Sequence, residues 1–120
     1  MKTLEIYNYL LVSLLFFHSE PPRIVPFSFG SDVIDNGAFA QLTCVVSHGD
    51  TPISITWSLK GDVISSEPSI TTTMIGARTS ILIISSVGYR HIGEYRCNAI
   101  NDAGMATHST TLKVNGDFQY

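Results

Sequence analysis

The chain has 120 residues, of which 44% are hydrophobic and 14% are charged, and its formal net charge at pH 7 is −3. This length supports one domain, and this apolar fraction allows an ordinary core to be buried without metals or several disulfides. The sequence has no basic stripe, so charge argues against a nucleic-acid-binding protein.

The first residues resemble a secretory signal peptide. Lys2 precedes an apolar run over residues 9–17, which has the length of a signal-peptide core and is too short to span a bilayer. Glu5 and a half-met cleavage pattern at Ser19 depart from the ideal, and the alternative is an artefact of the gene model. We expect a signal peptide at 1–19, a domain at 20–115 and a linker toward a following domain at 116–120. The protein is then extracellular, either secreted or held at the cell surface by a downstream anchor.

Short β-branched runs alternate with turn signals along the rest of the chain, which is typical of antiparallel strands. Pro21-Pro22 predicts an extended entry, and Pro26 marks an edge position or a kink in the first strand. Seven or eight such strands predict an all-β antiparallel sandwich. The predicted strands are A at 24–29, B at 38–47, C at 53–57, ended by Lys60-Gly61-Asp62, D at 69–75, E at 79–85, F at 93–101 and G at 105–114.

Four residues have the spacing of the immunoglobulin-like (I-set) framework: Cys44, Trp57, Tyr95 and Cys97. In that framework strands B and F are bridged by a disulfide and the indole packs against the bridge. The resemblance implies a Cys44–Cys97 disulfide, which requires an oxidising compartment.

The segment around Tyr95 fits the tyrosine corner, in which the phenol is hydrogen-bonded to upstream backbone. Many immunoglobulin domains have an aspartate two residues before the glycine of this motif, and that aspartate pairs with an arginine. This chain has His91 there. We therefore assign neither Arg78 nor Arg90 to such a pair.

Strand E contains four consecutive apolar residues, Ile81 to Ile84, although a strand with one wet face should alternate. If Leu82 and Ile84 join Trp57 and Tyr95 in the core, Ile81 and Ile83 point outward from the sheet. The alternatives are that isolated exposed aliphatic residues are normal, or that a shifted register or a loop covers them. We predict an interaction surface there, with hydrogen-bonding groups around an apolar centre: Gln41, Thr43, Val45, Thr71, Thr73, Ile81 and Ile83.

No pattern in the sequence indicates a metal site or a catalytic site. The four histidines lack metal-ligand spacing, and no serine lies in a recognised nucleophile motif. No Asn-x-Ser/Thr triplet is present either, so no sequon-borne glycan covers either sheet. We therefore predict no enzyme activity, no metal or other cofactor and no small-molecule substrate.

Three segments, residues 21–30, 49–57 and 98–104, resemble the seventh immunoglobulin domain of arthropod Dscam, the Down syndrome cell adhesion molecule, and the likeness covers residues 21–114. His91 is similar to the histidine that those domains often carry. The resemblance implies homophilic recognition through an antiparallel homodimer on the A, B, E, D sheet. Because the domain follows a signal-like segment, it looks like the first domain of a shortened Dscam.

Two other functions stay open at this point. A heterophilic receptor or soluble immune-recognition domain would bind other ligands, including other extracellular immunoglobulin domains, through turns at the end of the sandwich. Those turns, 49–52 and 102–104, are short, which favours the sheet face. A spacer domain would make no contact with itself.

Overall fold

The computed structural model describes residues 20–31 and 33–116. The expected signal peptide at 1–19 and linker residues 117–120 lie outside the described residues. The described part forms a sandwich of two sheets, which confirms the predicted fold class. Its strands are β1 Arg23–Ile24, β2 Val33–Asp35, β3 Ala40–His48, β4 Ser54–Leu59, β5 Asp62–Val63, β6 Ile70–Ile75, β7 Thr79–Ile84, β8 Gly93–Asn101 and β9 Gly104–Asn115. Two 3-10 turns lie at Ile64–Ser66 and Tyr89–His91.

One sheet has four strands in the order β1-β3-β7-β6, and the other has five in the order β2-β9-β8-β4-β5. The first corresponds to the predicted strands A, B, E and D, and neighbouring strands in it run antiparallel. Central strand β7 lies between β3 and β6. No helix in the described part of the chain is long and apolar enough to cross a membrane.

The prediction of one strand A over residues 24–29 is wrong. Its first part, β1, ends at Ile24, although the Val25 N–H still donates to the Val45 carbonyl at 2.9 Å. Pro26 has no N–H to continue the ladder, and the chain crosses to the other sheet. There the Phe27 ring packs edge-on against Trp57, with centroids 5.5 Å apart. The chain then forms β2, which pairs in parallel with β9.

A short strand, β5, follows β4 where the sequence predicts only an end to strand C. Lys60 and Gly61 have φ angles of 53° and 87°, the left-handed values that a two-residue hairpin turn requires at both positions. The turn lets Asp62 pair back with Leu59. Lys-Gly is not a strong hairpin signal, so sequence reasoning missed this pairing.

The disulfide between Cys44 and Cys97 is formed across the two sheets, with Cα atoms 6.5 Å apart. It joins residues 53 positions apart in the chain, and closing a loop of that length stabilises the fold by about 4 kcal/mol in the chain-entropy model. Trp57 lies beside Cys97 in the β4–β8 register and is 4% exposed. Its indole Nε1–H donates to the buried Ser80 hydroxyl at 2.8 Å, so the polar atom of this core residue is satisfied.

The tyrosine corner is present: the Tyr95 hydroxyl donates to the His91 carbonyl at 2.6 Å. His91 itself is buried, and its Nδ1 accepts the Gly88 N–H at 2.9 Å. The ring proton is therefore on Nε2 and donates to the Ser69 hydroxyl at 2.8 Å, and that hydroxyl donates to Glu67. Burial lowers the pKa of His91, so this chain holds a neutral imidazole. These hydrogen bonds tie the start of β6 to the turn before β8.

Arg78 has a different role from the arginine of the usual salt bridge. Its guanidinium donates to the Gly49 carbonyl at 2.7 Å and to the Val46 carbonyl at 3.4 Å. Within the described residues the ion pair that forms is the exposed one between Arg96 and Glu94, at 2.9 Å. Arg78 therefore secures the turn after β3 through hydrogen bonds to backbone carbonyls, and His91 secures the turn before β8 through neutral hydrogen bonds.

Candidate functional site

The seven residues predicted for the interaction surface lie together on the outer face of the four-stranded sheet. Ile81 is flanked in register by Thr43 on β3 and Thr73 on β6, and Ile83 is flanked by Gln41 and Thr71. Val45 continues the pattern in the next row, opposite Thr79. We call this surface, formed by the outward side chains of β3, β7 and β6, the β3–β7–β6 face.

Strand β7 shows why an apolar run can serve two surfaces. Leu82 and Ile84 are fully buried in the core, whereas Ile81 and Ile83 are partly exposed on the outer face. Successive residues of a strand point to opposite sides of the sheet. The run of four apolar residues therefore supplies two to the core and two to the β3–β7–β6 face.

The remaining predicted residues surround this centre and differ in exposure. Thr43 and Val45 are partly buried on β3, while Gln41 on β3 and Thr71 and Thr73 on edge strand β6 are exposed. The Gln41 side-chain amide donates to the Thr43 hydroxyl at 3.4 Å. Polar groups thus border the isoleucines on both sides.

The apolar part of the face is larger than the sequence analysis predicted. Phe39, which is 58% exposed, lies two residues before Gln41, and Ile75, which is 55% exposed, lies two residues after Thr73. Val25 is 44% exposed, and its backbone N–H donates a hydrogen bond to the Val45 carbonyl. The two-residue alternation, followed along β6 to Ile75 and back from β3 to Phe39, the residue just before that strand, was the signal that could have found both.

The β3–β7–β6 face differs in charge from the outer face of the five-stranded sheet. None of the described side chains that point outward from Ala40–His48, Ile70–Ile75 and Thr79–Ile84 is an acid, an arginine or a lysine. On the outer face of β8, by contrast, Arg96 and Glu94 form their ion pair beside Asn98 and Ile100. Depletion of charge at the centre of a patch is a compositional mark of protein interfaces.

The end of the sandwich that carries the two short turns is bound to the entering chain. The Glu20 N–H donates to the Asp50 carboxylate at 2.8 Å, and the Asn101 side-chain amide donates to the Glu20 carbonyl at 2.7 Å. A Cβ on Gly49 would lie 2.7 Å from the Cα of Pro22, so this close approach requires glycine. The three segments that carry the family resemblance therefore meet here and make structural contacts.

Metal-binding geometry is absent from the described residues, where no group of three histidine, cysteine or acidic side chains could hold an ion. One cleft lies between β6 and the β4–β5 hairpin, with Trp57, Met74 and Ser80 in its lining. It contains no cluster of titratable groups.

Comparison with known proteins assigns the fold to a family. The model of the family described as "Immunoglobulin domain" matches residues 21–101. Among curated proteins, cell adhesion molecule Dscam1 of Drosophila melanogaster is 41% identical over 96 residues, and human cell adhesion molecule DSCAML1 is 42% identical over 94 residues. These matches cover 79% and 78% of this chain but 5% and 4% of those proteins, so the chain spans a small part of their length.

Among solved structures, the Dscam1 Ig7 domain is similar in two isoforms. Isoform 5 is 42% identical with a TM-score of 0.76, over 79% of this chain and 97% of that one. Isoform 9 is 41% identical with a TM-score of 0.76, over 79% and 100%. The titin fragment I67–I69 is also similar, at 28% identity and a TM-score of 0.71, over 79% of this chain and 32% of that chain.

Proposed function

This chain belongs to the immunoglobulin family and is homologous to the Ig7 domain of the Dscam cell adhesion molecules, and we propose on that premise that it is an extracellular homophilic adhesion module. Two copies pack antiparallel through their β3–β7–β6 faces. The uncharged face centred on Ile81 and Ile83 is the observation that carries the proposal.

The chemistry of the face suits contact with a copy of itself. Threonine and glutamine side chains border an apolar centre, and aliphatic and aromatic residues extend it. When two copies meet about a two-fold axis, the same patch is used on both, so each residue of the patch contacts the matching patch of the partner. A patch of charges of one sign could not do this without placing like charges together. Fully burying an exposed isoleucine contributes about 1.5–3 kcal/mol, and Ile81 and Ile83, which are partly exposed, each contribute a fraction of that on dimerisation.

The same symmetry gives discrimination between related copies. One unmatched charge or bulky side chain on the face occurs twice in a two-fold contact, so its clash or unpaired desolvation is repeated. Sequence differences at the outward positions of β3, β6 and β7 would change which copies bind. The module can thereby support recognition of self at the cell surface.

The extracellular location follows the same argument. The relatives named above are cell adhesion molecules, and the Cys44–Cys97 disulfide forms and persists in oxidising compartments. Binding through the end turns receives less support, because Asp50 and Asn101 are already hydrogen-bonded to the entering chain. Other extracellular immunoglobulin domains with a similar uncharged face are a second class of partner.

Charge on the central strand tests the proposal. We expect the double variant Ile81→Asp, Ile83→Asp to lose the face-to-face contact, seen as a shift of the mass distribution to smaller species than the wild type in a dilution series followed by analytical ultracentrifugation, because that contact would bury four unpaired carboxylates. The matched control, Asn98→Asp with Ile100→Asp, places the same charges on the outer face of β8, the central strand between β4 and β9 of the other sheet. It should leave the mass distribution of the wild type unchanged.

Two results would contradict this function. An unchanged mass distribution for the Ile81, Ile83 double variant would show that the β3–β7–β6 face does not carry the contact. In a cell aggregation assay, mixing of cells bearing copies that differ at the outward positions of β3, β6 and β7, without preference for identical ones, would show that binding is not homophilic. Clumping of identical cells, reduced by the double variant, is the expected result.

A further inference from the structure

The two sheets have four edges in the described structure, and one of them is long. Strands β1 and β5 have two residues each and β2 has three, whereas β6, Ile70–Ile75, has six. Native proteins keep edge strands short because an edge carries unpaired N–H and C=O groups that can pair with another chain. Three edges follow that rule, and β6 does not.

The sequence of β6 also lacks the usual protection of an edge. It reads Ile-Thr-Thr-Thr-Met-Ile, with no charge, no proline and no glycine. Threonine and isoleucine are favoured in strands, and lysine, proline and inward-pointing charges are the common edge guards. Residues Thr71 to Ile75 are all exposed. The strand is therefore well suited to accept a further strand.

A cleft opens next to this free edge. Thr72 and Met74 point toward the other sheet, as Ile70 does, but the sheet opposite them ends in the short β5. They border a cleft of about 190 Å³ that also contacts Trp57, Ile64 and Ser80. Met74 is 46% exposed and Val63, at the other rim, is 62% exposed. A strand added to β6 would place every second side chain over this cleft.

We propose that β6 pairs antiparallel with β6 of a second copy, edge to edge, joining two four-stranded sheets into one continuous sheet. Directly opposed residues of antiparallel strands point to the same side of the sheet. The two-fold axis must therefore lie where one residue of β6 is opposite the same residue of the second copy. Centring on Thr72 places Thr71 opposite Thr73 of the second copy and Ile70 opposite its Met74. This register matches threonine with threonine and apolar with apolar side chains, and such pairs stabilise neighbouring strands.

A second copy is the occupant because β6 is complementary to itself. Its centre is three threonines and its ends are apolar, and it has no charge that the two-fold axis would set against its own copy. The edge contact depends on backbone groups along the free side of β6 and on Ile70, Thr72 and Met74, whereas face-to-face packing is centred on Ile81 and Ile83 of β7. Thr71 and Thr73 border both contacts, but they are central to neither. The two contacts are thus separate, and the edge pairing stands whether or not the face proposal does.

Disulfide trapping tests the edge pairing. Under the proposed register, position 72 of one copy faces position 72 of the other with Cα atoms about 4.5–5.5 Å apart, within the range of a disulfide. The full chain carrying Thr72→Cys, secreted so that the buried Cys44–Cys97 bond forms, is equilibrated in a glutathione redox buffer and analysed on non-reducing gels and by mass. The matched control is Ser109→Cys, an exposed position on β9, which is an interior strand of the other sheet.

A covalent dimer is expected as the main product of the Thr72→Cys chain, while the Ser109→Cys chain stays monomeric. Adding Met74→Lys to the Thr72→Cys chain should remove the dimer, since each copy would place a charge opposite Ile70. Both variants lie at exposed positions, and native tryptophan emission confirms that they are folded. Equal trapping at positions 72 and 109, or an undiminished yield with Met74→Lys, would overturn the proposal.

Trapping of the Thr72→Cys chain that also carries Ile81→Asp and Ile83→Asp distinguishes the edge contact from the face contact. Trapping should persist in this chain, because the edge does not need the outer face. Loss of trapping in this chain would assign the contact to the face and overturn the edge pairing.

Discussion

Replacing Tyr95 with phenylalanine should destabilise the domain by about 2 kcal/mol. The Tyr95 side chain is fully buried, and its hydroxyl makes a short hydrogen bond to the His91 carbonyl, 2.6 Å. An ordinary intramolecular hydrogen bond contributes about 0.5–1.5 kcal/mol, and a buried acceptor left without its donor costs about 1–3 kcal/mol. For a domain of this size each 1 kcal/mol corresponds to about 4–8 °C in Tm, so we expect Tm to fall by roughly 8–16 °C.

Urea unfolding followed by the emission of Trp57 measures the effect. This tryptophan is the only one in the sequence and is 4% exposed, so its emission reports loss of the core. The free energy of unfolding follows from linear extrapolation. The control Thr111→Val removes an exposed hydroxyl from β9 and should change stability by less than about 0.5 kcal/mol.

The pH dependence of the same variant gives a second check. Burial raises the pKa of Tyr95 above its ordinary value of 10.0. Since the folded-state pKa is raised, the stabilisation is fully present below pH 10 and is lost as pH rises above it. The difference between wild type and Tyr95→Phe should therefore shrink above pH 10. A phenylalanine variant within about 0.5 kcal/mol of wild type at pH 7 would refute this account of the corner.

Two further predictions concern buried polar groups. Burial lowers the pKa of His91 below its ordinary value of 6.5, so the stability that His91 contributes is present above pH 6.5 and is lost as pH falls through the lowered value. The variant His91→Gln should therefore flatten the fall in the free energy of unfolding between pH 7 and pH 5. An unchanged slope would contradict this. Ser80→Ala leaves the buried Trp57 Nε1–H without its acceptor and should cost about 1–3 kcal/mol in urea unfolding, whereas Ser109→Ala on the surface serves as the control and should be near neutral.

Which side chains of each strand point inward and which point outward was the part of the candidate site that the sequence could predict. Cys44 sets which residues of β3 face inward, and the alternation places Ile81 and Ile83 outside as soon as Leu82 and Ile84 are inside. The cross-strand rows required more, because register depends on which residues of two distant segments meet. The structure brings Thr43, Ile81 and Thr73 into one row.

The environment of His91 shows a different limit. Its position in the sequence marked it as a departure from the usual aspartate, but its partners are Gly88, three residues away, and Ser69, twenty-two residues away. No local pattern identifies a bond across that separation. The crossing of the chain after Pro26 was missed for the same reason, since Phe27 contacts residues of the opposite sheet.

The sequence by itself determined the immunoglobulin sandwich, the core residues Trp57, Tyr95, Leu82 and Ile84, and the outward pair on strand β7. These follow from a two-residue period that the extended backbone imposes locally, and from the spacing of Cys44, Trp57, Tyr95 and Cys97. Only the tertiary structure decided which strands end each sheet, that β6 is a long free edge, and that a cleft opens beside it. Edges and clefts depend on where strands of the other sheet stop, and that is set by contacts between residues far apart in the chain.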